Sequence, residues 1–301
     1  MNGVPSSTFF SAPPDWGWLI ALYFFFGGLA GGCYFIASLI DLFGRPEDHP
    51  LARLGYSIAF PCVALSGVLL TLDLGRPLRF WHMLLQSNTY RPMFKYWSPM
   101  SVGSWALLIF GVFTFLSFLG ALADAEYLPW GALRKLHPPS AVGRLIAVVG
   151  GVFGFYVASY TGVLLTETNR PVWSDTPLLG MLFVVSAAST SAALMTLLAH
   201  RSGWTMPGLA DLHRMDAWVI ALELVVLIAM MFSLGPLLAV WFNLWGVLLM
   251  VGVVILGMLL PLALSWRRQW LGNLNTTASA LLVLLGGFLL RVVVLFSAEG
   301  V

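Results

Sequence analysis

Trp18-Leu19-Ile20-Ala21-Leu22-Tyr23-Phe24-Phe25-Phe26-Gly27-Gly28-Leu29-Ala30-Gly31-Gly32 runs without one charged side chain. The apolar stretch extends over about 17–42, and a bilayer core takes roughly 20 such residues per helical crossing. Seven further segments read the same way: about 53–72, 99–123, 142–166, 177–199, 217–234, 237–264 and 277–296. In lipid each backbone polar group must be paired within its own segment, so these are helices. They are far too long for the alternating strands of an outer-membrane barrel. Composition agrees: 59% of residues are hydrophobic, only 9% are charged and mean hydropathy is +0.88. A soluble domain carries about 25% charged residues. The expected fold is therefore an all-α polytopic membrane protein with eight transmembrane helices in a single integral membrane domain (1–301). Four helices (about 17–166) form an N-terminal bundle and four more (about 177–296) support it.

Working outward from the first segment, Gly27/Gly31 and Gly28/Gly32 are overlapping small-xxx-small pairs, which let another helix approach closely. The sixteen residues that begin the sequence hold no basic residue, so the first helix is expected to be retained rather than cleaved as a signal peptide. The short loops are charged unevenly. Arg45, Arg53, Arg134, Lys135, Arg144, Arg201, Arg214, Arg267 and Arg268 fall on one side; Arg76, Arg79, Arg91, Lys95 and Arg170 fall on the other. The positive-inside rule makes the first set cytoplasmic and places both termini outside, in the periplasm of a bacterial inner membrane.

The histidines His49, His82, His137, His200 and His213 lie in loops or at helix ends, whereas a membrane haem needs axial ligands facing each other inside helices. His82, at the outer face, reads as an interfacial residue. Cys33 and Cys62, both in apolar helices, are too few for an iron–sulfur cluster and read as packing residues. No haem, cluster or metal site is expected in this chain. Any electrons it handled would need an organic carrier from the lipid and a redox centre in a partner.

Two of its features are polar where a connecting loop need not be. One is Leu72-Asp73-Leu74-Gly75-Arg76-Pro77-Leu78-Arg79-Phe80-Trp81, followed by Ser98-Pro99-Met100-Ser101-Val102-Gly103-Ser104-Trp105; between them lie Arg91 and Lys95. These outward basic residues oppose the positive-inside trend, which points to docking an acidic partner or holding a carboxylate in place, the competing reading being a loop whose arginines merely cap helix ends. The other is a set of ionisable residues within or bordering the helices: Asp41, Arg144, Asp216, Glu223 and Arg291, with Glu167 at the outer end of the fourth helix. Such residues are costly in lipid and default to functional roles. Asp216 and Glu223 are spaced to share one helix face. Tyr23 and Tyr160 each lie about six residues from the outer end of their helices, at roughly 10 Å depth for a 1.5 Å rise. Asp73, Ser98, Ser101 and Ser104 come to the same side.

The order of these motifs resembles the NrfD / polysulfide-reductase membrane-subunit family. The resemblance rests on the glycine-rich first helix with Tyr23, Asp73-Leu74-Gly75-Arg76-Pro77, Ser98-Pro99-Met100-Ser101, Tyr160-Thr161-Gly162-Val163-Leu164-Leu165, Leu212-His213-Arg214-Met215-Asp216 with Glu223, and Gly286-Gly287 with Arg291. It departs from the family at Ser297-Ala298-Glu299, where Ala-Gly-Gln is more frequent. The resemblance implies a quinone-reactive subunit that exchanges electrons between menaquinone or ubiquinone and a periplasmic multi-cluster iron–sulfur subunit, often with a molybdopterin catalytic subunit or a multihaem cytochrome. It implies quinone binding by Tyr23, Tyr160, Asp73 and Ser101. Proton-transfer candidates are Glu167, Asp41, Arg144, Asp216 and Glu223, and docking candidates are Arg76, Arg79, Arg91 and Lys95. Asp73 reads equally as a charge partner of Arg76 or Arg79. The ionisable groups read either as a proton path or as buried pairs tying the bundle together. A secondary transporter and a passive membrane anchor are the competing functions, and no nucleic-acid partner is expected.

Overall fold

Residues 16–266 and 274–298 are described by the computed structural model. Among the described residues, eight helices are long and apolar enough to cross a membrane. They are α1 (Trp18–Phe43), α2 (His49–Asp73), α3 (Pro99–Asp124), α4 (Ala141–Thr166), α5 (Leu179–Arg201), α6 (Pro207–Leu234), α7 (Leu244–Trp266) and α8 (Asn275–Ser297). The chain is an integral membrane protein. The bundle end that carries residues 74–98 is called the rim below, and the opposite end the base. Arg267, Arg268 and Glu299 lie outside the described residues.

Helix boundaries follow local chemistry. Ser98 and Ser140 cap α3 and α4 by accepting from the backbone N–H of Ser101 and Gly143. The sixth helix starts ten residues before its apolar run, at Pro207 rather than about 217. Proline is tolerated in the first turn, and the buried Asp48 carboxylate accepts from Gly208 N at 2.7 Å, capping α6 from another loop. The seventh helix starts later than its hydropathy suggests. Gly235 leaves the helical region at φ +50°, a turn of 3-10 helix follows (Gly235–Trp241), and Asn243 caps α7. The middle of α7, Leu248–Leu259, is wound as π-helix.

α1 sits at the centre, touching α2, α4, α5 and α8. Its small residues make this possible, because the hydrophobic effect does not drive helices together in lipid and close van der Waals packing must. A Cβ on Gly31 would strike the Gly154 carbonyl of α4, and one on Gly32 would meet Ser191 and Ala187 of α5. Gly28 leaves room for Arg291 of α8, and Gly55 of α2 lies against Ala37 and Cys33. Helices α1–α4 close a ring around Tyr34, Tyr56 and Phe110, while α5–α8 pack with the rim half of α1 around Trp173, Phe183 and Leu290. Cys33 is buried and Cys62 half-buried, both within this packing.

Candidate functional site

At the rim, three phenols meet inside the bundle. Tyr23 is 3% exposed and Tyr160 7% exposed, so neither belongs to a lipid-facing aromatic belt. Tyr156, one helical turn before Tyr160, stacks on it with ring centroids 5.6 Å apart, and Tyr23 is close enough to interact electrostatically with both. The Tyr160 hydroxyl donates to the Pro99 carbonyl at 2.8 Å, across the seat left by Gly103. Its oxygen lone pairs remain able to accept, while the Tyr23 hydroxyl bonds to no described residue.

The other rim residues divide. Ser101 is buried, but its hydroxyl accepts from Lys95 N at 3.1 Å, and Ser104 donates to the Ser101 carbonyl. These serines therefore tie the loop to α3. Asp73 and Glu167 are exposed at the ends of α2 and α4. Among the described residues Asp73 forms no ion pair with Arg76 or Arg79, contrary to the charge-partner reading. The chain turns through Gly75 at φ +64°, and the arginines restart in a short exposed helix (Pro77–Met83), where a solvated pair gains little. Arg76, Arg79, Arg91 and Lys95 are all exposed, interleaved with exposed Leu78, Phe80, Tyr90, Phe94, Tyr96 and Trp97. The loop is nonetheless ordered: Trp81 stacks on Tyr90, Leu85 pairs with Pro92, and Trp105 Nε1 donates to the Met93 carbonyl at 2.9 Å. His82 is half-buried in it, as an interfacial residue.

A second polar group lies where α1, α5, α6 and α8 meet. Arg291 is fully buried. Its guanidinium donates to the carbonyls of Phe24 (3.1 Å), Gly287 (2.7 Å) and Phe183 (3.5 Å) and to the Ser186 hydroxyl (3.1 Å). Ser186 also faces Glu223, which is 4% exposed and feels the charge of Arg291. Further toward the base, Ser189 donates to Asp216 at 3.1 Å. Asp216 and Glu223 thus do share a face, the one against α5. Because α6 begins at Pro207, Glu223 lies about 24 Å along it at 1.5 Å per residue, near mid-helix rather than close to one end.

A third group fills the base of the α1–α4 ring. His49 Nδ1 donates to Asp41 Oδ1 at 2.7 Å; the Asp41 side chain is 1% exposed and that of His49 is 42% exposed. His137, from the α3–α4 connection, is buried, with Nδ1 3.7 Å from Asp41 Oδ2 and 3.9 Å from Asp124 Oδ2. Gly120 and Gly143 create its seat, since a Cβ on either would strike the histidine. Arg144 does not join Asp41: it is exposed at the start of α4 and makes no ion pair among the described residues. The expected set of ionisable residues is therefore two groups on different helices, plus an outlying arginine.

Sequence reading missed Tyr156, Ser186, Ser189, His137, Asp124, Tyr34, Tyr56 and Ser117. Two of these carried a signal: Ser186 and Ser189 are polar residues in an apolar helix that align with Glu223 and Asp216. A histidine in a loop carries none.

An eight-helix bundle with buried phenols under a basic loop, and carboxylates and arginine inside it, defines a polytopic membrane protein with internal ionisable groups. The chain belongs to the NrfD family: the family model described as "Polysulphide reductase, NrfD" matches residues 7–300. It is similar to a polysulfide reductase chain of Wolinella succinogenes, 29% identical over 217 residues, 69% of this chain and 66% of that protein. That match thus spans just under two thirds of the relative's length. The NrfD protein of Escherichia coli K12 is 25% identical over 309 aligned positions, covering 94% of this chain and 95% of that protein. A selenate reductase subunit of Mesobacillus selenatarsenatis is 26% identical over 102 residues, 34% of this chain and 22% of that protein.

Proposed function

We propose that this chain is the quinone-reactive membrane subunit of a reductase-type oxidoreductase complex, exchanging electrons between menaquinone or ubiquinone and an iron–sulfur subunit at the rim. The observation that carries the reading is the burial of Tyr23 and Tyr160, with half-buried Tyr156 stacked on Tyr160, beneath a basic, aromatic loop. A quinol hydroxyl donates to the Tyr160 oxygen while Tyr160 donates onward to Pro99, and the Tyr23 hydroxyl is available to the second ring oxygen. Oxidation of the quinol releases two electrons and two protons. The electrons pass to the partner's cluster, and Asp73 and Glu167, exposed at the rim, receive the protons. When the quinone is reduced the same steps run in reverse. Arg76, Arg79, Arg91 and Lys95 hold the acidic face of the partner, and Leu78, Phe80 and Trp97 supply apolar contact. The group Asp216–Ser189 and Glu223–Ser186–Arg291 leads from the base half toward the Phe24 carbonyl beside Tyr23, the direction a proton route to the site requires. In this reading the rim faces the periplasm of a bacterial inner membrane, and a molybdopterin subunit or multihaem cytochrome completes the complex.

Tyr160→Phe tests the pocket. It removes one hydrogen-bonding group, so quinol-linked turnover of the assembled complex should fall roughly tenfold, the equivalent of about 1.4 kcal/mol. Wild-type turnover in an intact complex would reject the pocket. Arg79→Glu tests docking: the iron–sulfur subunit should dissociate in a salt wash that leaves the wild-type complex together.

A further inference from the structure

The base of the α1–α4 ring contains groups whose hydrogen bonding does not close without an added proton. His137 Nε2 lies 2.7 Å from the Ser117 carbonyl, which can only accept, so Nε2 carries its hydrogen. In a neutral ring Nδ1 is then a lone pair, and it faces Asp41 Oδ2 at 3.7 Å and Asp124 Oδ2 at 3.9 Å. A lone pair and two carboxylate oxygens repel. One proton placed among them makes the arrangement attractive, either as an imidazolium between carboxylates or as a carboxylic acid facing the ring. Asp41 Oδ2 is buried without a hydrogen-bond partner among the described residues; the neighbouring Tyr56 hydroxyl can turn its own hydrogen toward Asp41, which still leaves the His137 Nδ1 lone pair facing carboxylate oxygens.

No cation resolves the repulsion. Among the described residues neither Asp41 nor Asp124 pairs with lysine or arginine. From the α3–α4 connection, Arg134 turns away to the Ala123 carbonyl and Glu126, and Lys135 is exposed; from α4, Arg144 is exposed. The remaining titratable neighbours are phenols: Tyr56, edge-on to the His137 ring at 4.9 Å, and Tyr34, edge-on to Tyr56 at 4.9 Å and bonded to Ser117 Oγ at 2.7 Å. His49, half exposed, links the buried Asp41 to the base surface.

We propose that Asp41, His49, His137 and Asp124 form a proton-loading site at the base of the bundle, with His49 as its port. A proton from water binds His49 Nε2 as the Nδ1 proton moves to Asp41 Oδ1. The imidazole is left neutral with its hydrogen on the other nitrogen, and Asp41 has become a carboxylic acid. The loaded site is then a carboxylic acid on Asp41 that faces the His137 Nδ1 lone pair across 3.7 Å, with Asp124 beside it. The net change is one proton taken up from the base side, with no bond other than N–H and O–H made or broken. That protons loaded here serve quinone chemistry rests on the reading above; the existence of the site does not.

The test uses the purified full-length chain in lipid nanodiscs, without quinone or partner. Infrared difference spectra between acidic and alkaline perfusion should show a carboxylic-acid C=O band that is lost in Asp41→Asn. His49→Gln should keep the band but slow its hydrogen–deuterium exchange by roughly a hundredfold, the scale on which a positioned proton carrier acts. Gly120→Ala, which displaces His137 without removing a titratable group, should move the band's midpoint by about one pH unit or more, as loss of a neighbouring polar partner does. Persistence of the band in Asp41→Asn, wild-type exchange in His49→Gln, or an unmoved midpoint in Gly120→Ala would each overturn the site. Should Asp41→Asn fail to fold, the two other variants decide the matter. If Tyr160→Phe turns over normally while these spectra behave as stated, the quinone reading fails and the proton site stands.

Discussion

Gly103→Ala puts the packing of the rim site to a quantitative test. The new Cβ would lie 2.5 Å from Tyr160 Cε1 and nearer still to Cζ and the hydroxyl oxygen. Restoring an ordinary carbon–carbon separation of about 3.5 Å moves the ring by about 1 Å or more. That carries the 2.8 Å bond to Pro99 beyond useful geometry. Overpacking of this kind costs about 1–3 kcal/mol, and the lost hydrogen bond adds about 0.5–1.5 kcal/mol. Replacing a helical glycine by alanine returns up to about 1 kcal/mol. With that full gain subtracted, the net destabilisation should be about 0.5–3.5 kcal/mol. Gly111→Ala, in the same helix with nothing within 4 Å of the added carbon, is the control and should gain only the propensity term. SDS-titrated unfolding of the purified chain in mixed micelles measures both. Combining Gly103→Ala with Tyr160→Leu should erase most of the cost, because the two residues occupy the same space. Equal stability of the two alanine variants, or full additivity of the double variant, would refute the assigned contact between α3 and α4.

Arg291→Met should destabilise by about 3–5 kcal/mol in the same assay, since it leaves the buried Glu223 uncompensated; adding Glu223→Gln should recover part of that loss, and a neutral single variant would contradict the network. For orientation, a C-terminal fusion to a reporter active only in the cytoplasm should stay silent, and a signal would invert the periplasmic assignment of the rim.

What the sequence made legible was the number and character of the crossings. Each appears as an apolar run, and the positions of Tyr23 and Tyr160 could be placed by counting residues along a helix. Residues 207–212 of α6 escaped because they lie outside the apolar run, and the Asp48 cap that steadies them comes from a connection far away in the chain. Burial of Tyr23 and Tyr160 was expected, but the stacked Tyr156 was not, since an aromatic four residues earlier is ordinary in a membrane helix. Asp73 illustrates the limit at the surface, where one glycine turn decides whether a carboxylate meets the arginines beside it. His137 illustrates the limit inside. A loop histidine between proline and leucine carries no sign of burial, and only the tertiary arrangement shows that Gly120 leaves room for its ring and Gly143 for its backbone carbonyl.

The bond between Arg291 and the Phe24 carbonyl has a consequence for biogenesis. It joins positions 267 residues apart, yet it closes the innermost layer of the protein. At a synthesis rate of about 5–20 residues per second, the ribosome needs roughly 13–53 s to deliver Arg291 after Phe24 has emerged. Throughout that interval the hub helix waits in the bilayer with its glycine face only partly clothed. A nascent polypeptide stalled before the eighth crossing would be hollow at its middle rather than frayed at its edge, and membrane quality control would meet it as an open core.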